Sequence, residues 1–355
     1  MLPGGQFDIL YTMYPDVSLW LSVVFMVGGL AALAWSSDMF VAGSAALARA
    51  LGLSPFIVGM VVIGFGTSAP ELCVSALSGL FGHANLSLGN AYGSCVFNTA
   101  VILGVSALIA PLAVKPSVSF VAGPGLAAVS LFSLWMLRDG SCSRADAVAL
   151  LVAFAVVMPL YCWYDQWVKK GAGSAQSGES ADSPRPAARP RGALAKSSVQ
   201  VVVGLVVLVA SAHFLVWGAV DFAKFLHVSD LVIGLTVVAA GTSLPELASA
   251  IASARRREHE FVLGNIVGSN LFNMLAVVGI ATVISPVTPE NGGFSRYVLL
   301  RDLPLLAALS VSITLFGVNW RSPRRPGVVT RPEAVVWVAV FVAYTVLMFL
   351  QESSG

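Results

Sequence analysis

The fold is decided by the stretch GFGTSAPELCVSALSGLFGHANLSLGNAYGSCVFN (Gly64–Asn98) and its copy AAGTSLPELASAIASARRREHEFVLGNIVGSNLFN (Ala239–Asn273). The two segments align without gaps at an offset of 175 residues, and 14 of 35 positions are identical. All but one of the identities fall in two clusters, GTSxPEL and LGNxxGSxxFN. Many of the shared residues are polar, and lipid contact gives no reason to keep polar residues in apolar stretches. This argues against an old duplication without mechanistic meaning.

The chain around these segments is too apolar for a soluble protein. Hydrophobic residues make up 57% and charged residues 11% of its 355 residues, whereas about 25% of a soluble domain is charged. A helix needs about 20 mostly apolar residues to cross the hydrocarbon core of a bilayer. Ten stretches meet this requirement: Val17–Ala48, Ser54–Leu80, Leu86–Ala110, Val118–Leu137, Ala145–Tyr164, Ser198–Ala223, Ser229–Ala254, Phe261–Ile284, Tyr297–Gly317 and Glu333–Leu350.

The ten predicted spans form two halves of five, and five is an odd number, so the second half enters the membrane the other way up. This predicts an all-α polytopic membrane protein built as an inverted repeat. The five-helix repeats cover residues 17–165 and 198–351, and residues 166–197 form a linker of disordered composition. Fifteen Lys and Arg residues lie on the side of the linker and five on the other. The linker is therefore expected in the cytoplasm and both termini outside.

The GTSxPE clusters predict broken helices in the second and seventh spans. Pro70 has no N–H, and its ring clashes with the carbonyl four residues earlier. Broken backbone within a membrane is tolerated only where it lines a cavity or is buried in protein. Thr67 and Glu71 are four residues apart and share one helical face, with Ser68 beside them. The second copy supplies Thr242, Ser243 and Glu246, and both sets are expected to face one site.

The second clusters add polar stripes to the third and eighth spans. The stripes consist of Asn90, Ser94 and Asn98, and of Asn265, Ser269 and Asn273. Asn90 and Asn265 lie near the starts of their spans and are expected to pin the helices rather than to line the site. Hydroxyl, amide and carboxylate oxygens are the ligands that calcium prefers, and the set contains no imidazole or thiolate. Glu71 and Glu246 together carry −2, which matches one calcium or two sodium ions. The alternative is a pair of protonated carboxyls bonded across helices.

The two clusters resemble the α-repeats of the cation/calcium exchanger superfamily, whose best-known members are sodium/calcium exchangers, and the chain is most similar to prokaryotic ones. The resemblance implies ten transmembrane helices, alternating access, and sodium and calcium as transported ions. It implies an antiporter rather than an enzyme, without a cofactor. The implied ion ligands are Thr67, Ser68, Glu71, Ser94, Asn98, Thr242, Ser243, Glu246, Ser269 and Asn273.

The chain departs from that resemblance at two positions. Relatives often carry Asp at the place of Asn273, which leaves the coupling ratio and potassium dependence open. Cys95 stands where Asn is usual, and Asn270 matches it in the second repeat; this difference is expected to alter packing more than ligation. The resemblance also implies that the long first and sixth spans form a sliding gate. Asp38 and His213 hold matched places in these spans and are expected to reach interfacial water rather than to tune gating.

Other functions remain open at this point. A proton-coupled calcium exchanger would use protonation of Glu71 and Glu246 in place of sodium, although two Thr-Ser pairs supply more oxygens than a proton needs. A calcium channel needs a continuous polar path, which suits inverted broken helices less well. An intramembrane hydrolase is disfavoured because the sequence has no GxSxG motif. The expected location is a bacterial plasma membrane, with the lipid bilayer as partner and neither nucleic acid nor an obligate protein partner indicated.

Overall fold

The computed structural model describes residues 17–81, 84–176, 193–226, 239–288 and 297–353, which form a helical bundle. In chain order the helices are α1 (Leu19–Leu51), α2 (Pro55–Thr67), α3 (Ala69–Leu80), α4 (Ala84–Phe97, Asn98–Ile102 and Leu103–Ile109), α5 (Val118–Asp139), α6 (Arg144–Gln176), α7 (Ala193–Phe225), α8 (Ala239–Thr242), α9 (Leu244–Arg255), α10 (His259–Ile284), α11 (Val298–Gly317) and α12 (Arg331–Ser353).

Eight of these helices are long and apolar enough to cross a membrane, and the bent pair α2–α3 brings the number in the described residues to nine. The chain is therefore a polytopic helical membrane protein. The seventh predicted span, Ser229–Ala254, falls partly on residues 229–238, which lie outside the described residues. The other predicted spans each coincide with a helix or, for the second span, with the bent pair.

Helical structure extends into both ends of the segment predicted as a linker, residues 166–197. Helix α6 continues to Gln176, and helix α7 begins at Ala193. The length of an apolar stretch indicates where a helix leaves the hydrocarbon core of the membrane. The helix can continue beyond that point because its backbone hydrogen bonds do not depend on lipid. The remaining part of the predicted linker, residues 177–192, lies outside the described residues.

The break predicted at GTSxPE occurs in both copies. Ser68 separates α2 from α3, which are bent by 43°, and Ser243 separates α8 from α9. Each serine has ψ near 8°, away from helical values. Pro70 and Pro245 then fall in the first turn of the following helix, where a missing N–H costs no hydrogen bond. Each broken helix therefore starts again immediately before its glutamate.

Two short strands accompany the helical bundle. Leu112–Val114 (β1) pairs antiparallel with Gly327–Val329 (β2), with Ala113 opposite Val328. The pair links the loop after α4 to the loop before α12. Three residues are too few to leave an alternating pattern that sequence reasoning could recognise.

Glycine lets helix α1 contact helix α7 backbone to backbone. A Cβ atom at Gly29 would lie 2.9 Å from the backbone nitrogen of Leu215, and one at Gly204 would lie 2.8 Å from the Cα of Phe40. Gly43 and Gly218 are equally crowded. Gly29 and Gly204 are separated by 175 residues, as are Gly43 and Gly218. The repeat thus extends to the contact between its two long helices.

Glycine also brings the broken helix α2 against helix α10 of the other repeat. A Cβ atom at Gly59 would lie 2.9 Å from the carbonyl oxygen of Phe261, and one at Gly64 would lie 2.9 Å from the backbone nitrogen of Ser269. On the opposite face of this contact, Gly264 and Gly268 leave no room for a side chain against the backbone of α2. This close approach carries the end of α2 to the middle of the deeply buried helix α10.

The α1–α7 contact predicts different effects for alanine substitutions at two adjacent glycines. Gly29→Ala should lower the free energy of unfolding by about 1–3 kcal/mol, because the new methyl group meets the backbone of α7. Gly28 is exposed, and a Cβ atom there would have no atom of another described helix within 4 Å. Gly28→Ala should therefore leave stability unchanged or raise it slightly, since alanine favours helix. Thermal unfolding in detergent, followed by circular dichroism, measures both. Equal shifts for the two variants would contradict this packing.

Candidate functional site

The ten residues expected to ligate an ion come from the two breaks and from two continuous helices. Thr67, Ser68 and Glu71 lie at the α2–α3 break, and Thr242, Ser243 and Glu246 lie at the α8–α9 break. Helix α4 contributes Ser94 and Asn98, and helix α10 contributes Ser269 and Asn273. Nine of the ten are buried, and Thr242 is partly exposed. The hydrogen bonds described below link several of them across the two repeats.

The two glutamates are held by bonds that cross between the repeats. The Ser68 hydroxyl donates to Oε1 of Glu246 at 2.9 Å. The Ser243 hydroxyl donates to Oε1 of Glu71, also at 2.9 Å. Each break therefore supplies the hydroxyl that the carboxylate of the other break requires.

Ser94 extends these contacts into helix α4. The Ser243 hydroxyl, besides donating to Glu71, lies 3.3 Å from the hydroxyl oxygen of Ser94. Ser94 is almost completely buried. The first-repeat stripe therefore contacts the second-repeat break, as the sequence pattern predicts for a site shared by both repeats.

Asn90 and Asn265 pin each glutamate-bearing helix to its neighbour. The Asn90 amide donates to the carbonyl oxygen of Glu71 at 3.4 Å and to the Ser75 hydroxyl at 3.1 Å. The Asn265 amide donates to the carbonyl oxygen of Glu246 at 3.4 Å and to the Ser249 hydroxyl at 3.2 Å. Each asparagine thus joins its own helix to a helix that carries a glutamate, as a pinning role requires.

Asn265 also accepts hydrogen bonds from both repeats. Its Oδ1 atom lies 3.5 Å from the Thr67 hydroxyl and 3.4 Å from the Ser269 hydroxyl. Thr67 donates at 2.9 Å to the carbonyl oxygen of Ile63, and Ser269 donates at 3.2 Å to that of Gly64. These hydroxyls use their hydrogens on the protein, yet each oxygen keeps lone pairs that can face a cation.

Four buried oxygens among the predicted ligands have no hydrogen-bond partner among the described residues. They are Oε2 of Glu71, Oε2 of Glu246, Oδ1 of Asn98 and Oδ1 of Asn273. A buried carboxylate or amide oxygen without a partner costs several kcal/mol. Such a group of hard oxygens fits Ca²⁺ or Na⁺, which would supply the missing interaction. Glu71 and Glu246 are the only carboxyl groups among the ten predicted ligands, and the described residues contain no cluster of three His, Cys, Asp or Glu side chains.

Asn270 is the site residue that sequence reasoning missed. Its Oδ1 atom accepts from Nδ2 of Asn98 at 3.2 Å, and its own Nδ2 donates to the Thr99 hydroxyl at 2.7 Å. Asn270 therefore bonds directly to a predicted ligand, a contact that the sequence did not predict. The available signal was the mismatch with Cys95 inside an otherwise matching cluster.

Asp38 and His213 have different surroundings despite their matched positions. Asp38 is half-exposed and pairs with Arg256, whose Nε lies 3.4 Å from Oδ1 and whose Nη2 donates to the Asp38 carbonyl at 3.2 Å. His213 is packed beside the rings of Phe214 and Trp217. Asp38 thus links α1 to the turn after α9, and the sequence did not predict this contact.

Comparison with known proteins adds independent information. The family described as "Sodium/calcium exchanger protein" matches residues 21–163 and 196–350. CaxA of Alkalimonas amylolytica, which is provisionally named an antiporter, is 34% identical over 329 residues, covering 93% of this chain and 99% of that protein. The sodium/calcium exchanger MaX1 of Methanosarcina acetivorans is 27% identical over 361 residues, covering 93% of this chain and 97% of that protein.

A solved structure is also similar along nearly the whole chain. The sodium-calcium exchanger NCX_Mj, soaked with Na⁺ and Sr²⁺, superimposes with a TM-score of 0.77 at 28% identity. The superposition covers 93% of this chain and 99% of that one. The similarity therefore includes both repeats rather than the motifs alone.

The two pinning asparagines predict unequal losses of stability. Asn90→Leu removes two hydrogen bonds, whereas Asn265→Leu removes two and also the longer bonds that Oδ1 of Asn265 accepts from Thr67 and Ser269. At about 1 kcal/mol net for each bond, the free energy of unfolding should fall by about 2 kcal/mol in Asn90→Leu and by about twice that in Asn265→Leu. Thermal unfolding of the purified protein in detergent measures the difference. A larger loss in Asn90→Leu would contradict the bonding described here.

Proposed function

The chain belongs to the sodium/calcium exchanger protein family, and from this premise we propose that it is a secondary antiporter exchanging sodium for calcium across the membrane. The ions bind at a centre between the two repeats, and this centre opens to one side of the membrane at a time. The observation that carries the proposal is the pair of crossed bonds, Ser68 to Glu246 and Ser243 to Glu71. They hold two carboxylates together while leaving one oxygen of each without a partner among the described residues.

The chemistry of the centre supports exchange of these two ions. Calcium takes six to eight oxygen ligands in flexible geometry. The proposed ligands are the oxygens of Thr67, Ser68, Glu71, Ser94, Asn98, Thr242, Ser243, Glu246, Ser269 and Asn273. Two carboxylates balance the charge of one calcium ion or of two sodium ions. Because both ions use the same oxygens, binding of one excludes the other, and this competition is what couples their movements in an antiporter.

The proposed topology has ten transmembrane helices arranged as two inverted repeats, over residues 17–165 and 198–351. Residues 166–197 connect the repeats on the cytoplasmic side, and both termini are extracytoplasmic. The distribution of Lys and Arg supports this orientation. The matched glycines of α1 and α7 and the matched breaks at Ser68 and Ser243 support the internal symmetry. A bacterial plasma membrane is the proposed location.

The transport reaction can be tested with purified protein in liposomes. Vesicles loaded with sodium and diluted into sodium-free buffer should accumulate calcium-45, because sodium leaving by the exchanger drives calcium inward. Glu71→Gln and Glu246→Gln should each reduce uptake to the level of protein-free vesicles, since each removes half of the fixed charge. Glu260→Gln is the matched control, because Glu260 is partly exposed outside the centre and pairs with Lys115 at 2.7 Å. This control should transport like the unaltered protein.

Parallel arms of the same experiment separate the alternatives. Uptake driven by an imposed pH gradient, and not by sodium, would replace sodium coupling with proton coupling at Glu71 and Glu246. Uptake without any counter-ion would indicate a channel. Equal loss of uptake in the Glu260→Gln control would contradict a role specific to the two central glutamates.

The crossed bonds predict similar effects from substitutions in opposite repeats. Ser68→Ala and Ser243→Ala each remove a hydroxyl donor to a carboxylate and a potential ion ligand. A hydrogen bond to a charged group contributes about 1.5–3 kcal/mol, so each variant should raise the KM for calcium roughly tenfold or more. Ser253→Ala, at a buried serine of α9 outside the centre, should leave KM unchanged. Initial rates of sodium-driven uptake at several calcium concentrations provide the values. An effect confined to one of the two central serines would contradict reciprocal bonding.

A further inference from the structure

The two repeats differ at one position within their best-matched cluster. The cluster LGNxxGSxxFN has Cys95 in the first repeat and Asn270 in the second. The two residues meet between helices α4 and α10, where the Cys95 thiol donates to the backbone carbonyl of Asn270 at 3.7 Å. Both side chains are fully buried. An amide therefore stands on one side of this contact and a thiol on the other.

The amide of Asn270 has a partner at each end. Its oxygen accepts from Nδ2 of Asn98 at 3.2 Å, and its nitrogen donates to the Thr99 hydroxyl at 2.7 Å. Asn98 and Thr99 are consecutive residues of α4, at the start of its π-helical turn. Asn270 therefore reaches from α10 to two neighbouring side chains of α4, all of them buried.

This contact determines which end of the Asn98 amide remains available. A side-chain amide has a donor end and an acceptor end. Asn270 engages the donor end of Asn98, so the end left without a partner among the described residues is the oxygen Oδ1. An oxygen is the end that a cation requires. If the amide turned over, it would present its NH₂ group to the cation instead.

The counterpart in the second repeat has no such contact. Neither Oδ1 nor Nδ2 of Asn273 has a hydrogen-bond partner in the part of the chain that the structure describes, although the side chain is fully buried. The position that matches Asn270 is occupied by Cys95, whose thiol donates a hydrogen bond to a backbone carbonyl of α10. One amide of the centre is thus held in a single orientation, and its counterpart is not.

We propose that Asn270 is a positioning residue that fixes the side-chain amide of Asn98 with its oxygen toward the transported calcium ion. This proposal rests on the function proposed above. Asn270 is not one of the ten proposed ligands, but it determines how well one of them, Asn98, binds calcium. Fixing the amide beforehand removes the loss of side-chain freedom that binding would otherwise incur. Asn270 itself need not contact the ion.

Asn270 could instead act only as a structural bond that joins α4 to α10. A double-mutant cycle distinguishes that structural role from the positioning role, because only the positioning role makes the effect of Asn270 on calcium binding depend on Asn98. The cycle combines Asn270→Leu, which keeps the size but removes the acceptor, with Asn98→Ala. Calcium binding to the full chain in detergent is measured by titration calorimetry, with calcium chloride as the only ligand. Asn270→Leu should raise the Kd for calcium about tenfold when Asn98 is present, and less than twofold in the Asn98→Ala protein. Equal increases in both backgrounds would overturn the proposal.

Two further variants serve as rescue and control. Asn270→Asp keeps an acceptor for Asn98 at the same length, so its Kd for calcium should not rise above that of the unaltered protein. A tenfold rise in Asn270→Asp would overturn the proposal. Cys95→Ala alters the same interface without touching the amide of Asn270 and should change the Kd less than twofold. Thermal unfolding of each variant shows whether that variant is folded, so that calcium binding is compared only between folded proteins.

The binding measurement distinguishes this proposal from the proposed function. If the unaltered protein binds calcium but shows no sodium-driven uptake, sodium coupling fails, and the cycle still decides the role of Asn270. If sodium-driven uptake is present and the cycle shows no coupling, the positioning role fails alone. Absence of calcium binding by the unaltered protein would overturn both.

Discussion

Carboxylates and amides placed in the middle of a membrane must find partners, because neither lipid nor bulk water can satisfy them there. This protein meets the requirement by making each repeat depend on the other. Ser68 donates a hydrogen bond to Glu246, and Ser243 donates one to Glu71. The remaining oxygens of the two carboxylates, together with those of Asn98 and Asn273, lack protein partners among the described residues. The protein therefore orders the two carboxylates and still keeps buried oxygens without protein partners, as the proposed binding of a cation requires.

The packing of the bundle serves this arrangement. For the serine at the end of α2 to reach Glu246, α2 must approach α10 at backbone distance, which Gly59, Gly64, Gly264 and Gly268 permit. The breaks at Ser68 and Ser243 turn the hydroxyls toward the opposite repeat, and the following prolines fit where no N–H is needed. Asn90 and Asn265 then hold the glutamate-bearing helices in place. The local backbone geometry and the contacts between helices therefore both help to position the two carboxylates.

Much of this arrangement could be predicted from the sequence because the decisive residues are polar and repeated. Polar identities within apolar stretches identified the breaks and the residues around them. Features that depend on contacts between distant elements were harder to predict. The bond from Asn270 to Asn98 joins helices far apart in the chain, and periodicity within one helix cannot reveal it. Strands of three residues carry no alternation, and α6 continues beyond its apolar stretch because a helix does not require lipid.

The crossed serine–glutamate bonds also limit how such a chain can be divided or evolve. A single repeat would contain a carboxylate without its donor and a donor without its carboxylate. It could form the centre only by pairing with a second copy, which in the proposed topology is inserted in the opposite direction. Joining the two copies in one polypeptide makes that pairing obligatory and frees each copy to diverge. The exchange of cysteine for asparagine between Cys95 and Asn270 is a divergence of this kind, which two identical subunits could not carry.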